Sequence, residues 1–159
     1  MQHTQTVVDA ATDGAGGQRM EIRFRSGESY EIAVRGHLLS VDQPADAGGD
    51  DQAPTPTELF VASLASCVAY YAGRYLTRHG YTREGLRVFV DYEMATDRPA
   101  RVAGIRLTVH VPEDVPAKRR PALHAVISHC TVHNTLTTPP AITIDLAPGR
   151  TSNDVDHVS

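Results

Sequence analysis

From residue 20 onward, apolar side chains recur at every second position, then at helical spacing, then again at every second position. Met20, Ile22 and Phe24 alternate with other residues, as do Tyr30, Ile32 and Val34, with Ser26-Gly27 between the runs. This pattern predicts a β-hairpin, and a third strand is expected over residues 37–42. A loop rich in Pro, Gly and Asp follows, with Gly48-Gly49-Asp50-Asp51 at its centre. Thr55-Pro56-Thr57-Glu58 has the form of a capping box with proline at the first helical position. The helix it opens is predicted to run to about His79, where Gly80 stops it. No charged residue occurs from Leu59 to Ala72, so this helix is expected to be buried nearly all round. Alternation at Val88, Val90, Tyr92 and Met94, and at Ile105, Leu107, Val109 and Val111, predicts two more strands. A second helix is expected over about residues 116–129, a helical turn near 131–137, and a last strand through Ile142, Ile144 and Leu146. The order βββ-α-ββ-α-β predicts an α+β domain with a largely antiparallel sheet over residues 19–148. Residues 1–18 are rich in Gln, Thr, Ala, Asp and Gly, residues 149–159 are polar with no apolar pattern, and both read as disordered tails.

Composition narrows the classes. A chain of 159 residues with a 41% apolar share suits one domain with one core. No apolar run reads as long enough to span a bilayer, and the first residues lack the layout of a secretory signal. A cytoplasmic protein is expected, in which disulfides are transient. The net charge of −4 gives no general attraction to nucleic acid or to an anionic membrane, so neither is expected as a partner. Lys118-Arg119-Arg120 is the one basic cluster and reads as a solvated helix face.

The candidate chemistry lies in two cysteines. Cys67 sits deep in the first helix, and Cys130 in His129-Cys130-Thr131-Val132-His133-Asn134. They are too far apart for a CxxC redox motif, and are either two inert core thiols or a pair assembled by the fold. Cys130 and His133 have a spacing found in zinc sites, with His129 beside them. Three clustered candidates, with no second CxxC or HxxxH, do not make a metal or a cofactor an expectation. His133 is a candidate proton donor or positive neighbour for Cys130.

Pro56-Thr57-Glu58-Leu59-Phe60-Val61-Ala62-Ser63-Leu64-Ala65-Ser66-Cys67, followed by Val68-Ala69-Tyr70-Tyr71, resembles the first cysteine motif of the OsmC/Ohr family. Cys130-Thr131-Val132-His133-Asn134-Thr135-Leu136 resembles its second. The resemblance covers about residues 20–147. It implies an intertwined homodimer with the long helix at its centre. It also implies reduction of organic hydroperoxides, with Cys67 as the peroxidatic nucleophile, Cys130 as the resolving thiol and a dithiol as the reductant. The family's peroxidases place a glutamate ten residues before the first cysteine, and Thr57 stands there in this chain. Glu58 is about 900° of helical rotation from Cys67, hence on the opposite side, and reads as a cap. The family also uses an arginine from the segment before the helix; Arg35 is the nearest candidate. Arg74 lies within about 20° of Cys67 around the helix and could lean back past Tyr70 and Tyr71 toward the sulfur. The two tyrosines read as core residues that would also wall an alkyl substrate. The Gly48-Gly49-Asp50-Asp51 loop resembles that of a less characterised branch of the family. Three readings stay open: a thiol peroxidase acting on organic hydroperoxides, a non-enzymatic binder of a small apolar or electrophilic molecule, and a redox-responsive or structural dimer.

Overall fold

A computed structural model describes residues 19–148, and the two expected tails lie outside them. Strands β1 (Met20–Ser26), β2 (Ser29–Val34) and β3 (His37–Val41) form an antiparallel meander in sequence order. Strands β4 (Arg87–Met94) and β5 (Val102–His110) form a separate antiparallel pair. The expected single sheet is therefore two sheets. Helix α1 (Pro56–Arg78) packs across β4 and β5, with α2 (Arg120–Ile127) and α3 (Thr131–Thr137) against its inner side.

Local signals account for most boundaries. Thr55 and Glu58 form both halves of the capping box. The Glu58 N–H donates to Thr55 Oγ1 at 3.2 Å, and the Thr55 N–H donates to Glu58 Oε2 at 2.7 Å. The predicted second helix is shorter than expected. Residues 117–119 form a 3₁₀ turn, and the α-helix starts only at Arg120. Pro121 has no N–H to give to the carbonyl four residues back, so the α-helical ladder cannot extend through it to Ala117.

The loop between β3 and α1 is tied around one carboxylate. Asp42 is buried and accepts N–H groups from Gln43 at 2.8 Å, Gln52 at 3.1 Å and Asp50 at 3.3 Å. Gly49 passes so close that a Cβ there would lie 1.9 Å from the Gln43 carbonyl oxygen. This loop delivers Thr55 to the head of α1, and thereby sets the register of Cys67.

The core lies on one side of α1. Ala72, Tyr75 and Leu76 meet Val115 and Leu123, while Leu64 and Val68 meet Cys130. The helix is not buried all round within one chain: Phe60 and Tyr70 stay 40% and 58% exposed on its outer side. At 23 residues, α1 is also long and apolar enough to cross a bilayer by length and composition, unlike the expectation from sequence. Its inner face is committed to a protein core instead.

The meander contributes to neither apolar cluster. Its register places Met20, Ile22 and Phe24 opposite Val34, Ile32 and Tyr30, and Ile32 opposite Leu39. Directly opposed residues share a face, so this face is apolar except for His37 opposite Val34, and Met20, Ile22 and Phe24 are each more than half exposed. The predicted last strand does not pair among the described residues. Ile142, Ile144 and Leu146 run without ladder hydrogen bonds and are 81%, 86% and 98% exposed. A strand needs a neighbouring edge, and periodicity at 142–146 carries no information about whether one is available.

The N–H groups of Gln52, Gln43 and Asp50 hold the Asp42 carboxyl below the usual carboxylate range, with burial opposing them. A lowered folded-state value gives stability that is present above the unfolded-state value and is lost as pH falls through the folded one. Asp42→Asn should therefore melt below wild type at pH 7, and the gap should close as pH falls below about 4. Thermal melts of both proteins from pH 7 to pH 2.5 check this; a gap that does not vary with pH contradicts it.

Candidate functional site: the thiol pair between α1 and α3

Cys67 lies at the start of the fourth turn of α1 and is half-buried, while Cys130 is completely buried at the N-cap of α3. Both are free thiols, and their side chains meet in the cluster built by Leu64 and Val68. Val88, Ile105, Leu107, Val109 and Ile127 close the apolar shell. Two chain segments 63 residues apart thus converge because α1 offers Leu64, Val68 and Cys67 on adjacent turns, and α2 returns the chain to that face. A hydrogen bond of 3.0 Å between the Tyr71 and Thr131 hydroxyls fastens α1 to the residue after Cys130. Thr131 is a site residue that sequence reasoning passed over; its adjacency to Cys130 is the only signal it gives.

Cys130 experiences opposing influences. Burial raises its pKa most, and the hydrogen bond and charge of Cys67 add to that rise. The N–H of His133, which donates to Cys130 Sγ at 3.4 Å, works in the other direction, as does the N–H of Val132. The net shift is upward, so Cys130 holds its proton beside Cys67.

The remaining candidates are distributed differently. His133 touches the Cys130 sulfur through its backbone N–H; its ring Nδ1 donates to the Ser128 carbonyl. Arg74 is exposed, with its guanidinium carbon 5.7 Å from the Tyr70 ring centroid. Arg35 is exposed in the turn between β2 and β3, at a φ of 54°, on the sheet that stays apart from α1's core face. Tyr70 is a surface residue and not a core one. The His129 ring is engaged with the Ala125 carbonyl at 2.9 Å. Among the described residues, no three His, Cys, Asp or Glu side chains gather as a metal-ion group.

Residues 48–145 match the family model described as OsmC-like protein. The chain belongs to the OsmC-like protein family. Solved structures share the fold. One is a putative osmotic stress induced and detoxification response protein from Psychrobacter arcticus 273-4, at 21% identity and TM-score 0.70, covering 77% of this chain and 90% of that one. A second is an organic hydroperoxide resistance protein OsmC from Legionella pneumophila, at 16% identity and TM-score 0.58, covering 78% and 91%. A third is the organic hydroperoxide resistance protein OhrB of Bacillus subtilis, at 15% identity and TM-score 0.52, covering 75% and 89%. No curated protein sequence matches. Cys67 and Cys130, the two cysteines of this OsmC-like protein, both lie within the matched span, and Glu58 is engaged as a helix cap.

Burial and the raised pKa make Cys130 the protected thiol. In reduced native protein at pH 7.5, iodoacetamide should modify Cys67 about tenfold faster than Cys130 or more. Cys130 labelling should become appreciable only above the ordinary thiol range, about pH 8.5, or in denaturant. Peptide mapping of a labelling time course checks this, and equal rates at the two cysteines contradict it.

Proposed function

We propose that this OsmC-like protein reduces organic hydroperoxides through Cys67 and Cys130, as part of oxidative stress defence in the cytoplasm. The observation that carries the reading is the contact of a half-buried thiol with a fully buried one at the α1–α3 junction. In the first step the Cys67 thiolate attacks the outer peroxide oxygen. The O–O bond breaks, the alkoxide leaves and takes a proton as alcohol, and Cys67 becomes a sulfenic acid. In the second step the Cys130 sulfur attacks the Cys67 sulfur, and the sulfenic oxygen leaves with the Cys130 proton as water. One peroxide and two thiols give one alcohol, one water and one disulfide. An external dithiol then restores both thiols by exchange. The apolar shell around the pair favours an alkyl or aryl hydroperoxide over hydrogen peroxide.

The working form in this reading is a homodimer. The apolar face of the meander and the outer side of α1 are both uncovered in one chain, and contiguous exposed apolar surface marks an interface. A second copy covers both and brings its meander, with Arg35 and the other exposed basic side chains, to the helix that carries Cys67. A second reading is a non-enzymatic binder using the same apolar shell. Thr57 at the glutamate position and Arg74 engaged over Tyr70 favour it.

Turnover separates the readings. With cumene hydroperoxide and dithiothreitol, wild type should consume peroxide continuously and faster than it consumes hydrogen peroxide. Cys67→Ser should abolish consumption, and Cys130→Ser should stop after about one equivalent with sulfenic acid at Cys67. Equal activity in the two variants, or none in wild type, rejects the peroxidase and leaves the binder. Light scattering at micromolar concentration should give twice the 17.2 kDa chain mass; a monomer mass rejects the shared site.

A further inference from the structure

A cleft of about 480 Å³ opens between β5 and α2 and adjoins the thiol contact; it shares Leu64, Val68, Leu107, Val109 and Ile127 with the shell around the thiols, although neither cysteine lines it. Its walls are aliphatic: Leu64 and Val68 from α1, Leu107 and Val109 from β5, and Leu123 and Ile127 from α2. The size falls within the range of small-molecule pockets. Its polar groups are Arg120, His124, Ser128 and His133. Arg120, His124 and Ser128 recur every fourth residue, so they form one stripe along α2 beside the aliphatic stripe of Leu123 and Ile127. His124 Nδ1 and Ser128 Oγ are 3.5 Å apart, and His133 Nδ1 is committed to the Ser128 carbonyl. Both rings therefore have Nδ1 engaged, and neither Nε2 has a hydrogen bond among the described residues.

Charge in this cleft has one sign. No carboxylate lines it, and Arg120 takes part in none of the ion pairs among the described residues. The basic trio 118–120, which alone reads as a solvated face, thus puts one guanidinium at the rim of an aliphatic trough. A guanidinium matches a carboxylate through two parallel hydrogen bonds. A single such cation beside aliphatic walls suits a monoanion with an apolar body better than a polyanion, which needs several cations. The unpaired segment 142–146 is a poor occupant. With Ile142, Ile144 and Leu146 turned inward, strand alternation turns Asp145 outward, away from Arg120.

We propose that the β5–α2 cleft binds a small amphipathic carboxylate, its apolar body along Leu107, Val109, Leu123 and Ile127 and its head at Arg120, with His124 and His133 beside it. This ligand is not the peroxide, although both would lie against Leu64, Val68, Leu107, Val109 and Ile127. Its binding requires no thiol chemistry, so it stands or falls separately from the redox reading.

Calorimetric titration of the reduced full-length protein with octanoate, octanol, octyltrimethylammonium and inorganic phosphate tests it. Octanoate should bind about tenfold tighter than octanol or more, from its charge-assisted hydrogen bonds, and the cation and phosphate should bind far more weakly. Arg120→Gln alters an exposed side chain; it should bring octanoate down to the affinity of octanol and leave octanol unchanged. Cys67→Ser should bind octanoate as wild type does. Any of three results overturns the assignment: octanol as tight as octanoate, an octanoate preference that survives Arg120→Gln, or no octanoate binding. An octanoate affinity that weakens as protein concentration rises also overturns it, because a second copy then occupies the cleft.

Discussion

The contact between Cys67 and Cys130 depends on a single surface, the inner face of α1. Leu64, Val68, Ala72, Tyr75 and Leu76 are all buried there. At 3.6 residues per turn these positions form one stripe, and β4, β5, α2 and α3 are gathered against it. Cys67 sits at the edge of the stripe, which explains why it is half-buried where Val68 beside it is buried. Its sulfur is thereby close enough to the core to meet Cys130 and close enough to the surface to be reached. The position of that edge is set far upstream, by the Asp42-centred loop and the Thr55–Glu58 cap. A helix shifted by one residue would rotate by about 100° and carry Cys67 away from Cys130.

The same packing makes the two thiols unequal in burial. Burial disfavours a thiolate, and Cys130 has the full measure of it; the N–H groups at the head of α3 offset it only in part. In the proposed reaction the more exposed thiol would attack the peroxide and the shielded one would resolve it. The Tyr71–Thr131 hydrogen bond holds the two helices at this spacing. Neither Arg74, exposed over Tyr70, nor Arg35, in the turn between β2 and β3, is placed at Cys67 within one chain.

Features encoded by neighbouring residues were legible in the sequence, and features that depend on distant or missing neighbours were not. The capping box at Thr55–Glu58, the hairpin around Ser26-Gly27 and the β4–β5 pair could be read because period and turn chemistry are local. The meeting of Cys67 with Cys130 needed the resemblance of two motifs, since nothing local joins them. The outer side of α1 read as buried because an uncharged stretch does not say which of its faces the fold covers. Ile142, Ile144 and Leu146 alternate like a strand, but a partner edge is a property of the whole assembly. Arg120 was hidden among basic neighbours, and only the aliphatic walls beside it distinguish it.

The central claim is that the fold makes Cys67 and Cys130 a working redox couple. Non-reducing peptide mapping after one equivalent of cumene hydroperoxide tests it most directly. The account predicts a Cys67–Cys130 cross-linked peptide within one chain as the main product, reversed by dithiothreitol. Sulfinic or sulfonic acid at Cys67 with Cys130 still a free thiol, or two unmodified cysteines, would contradict it.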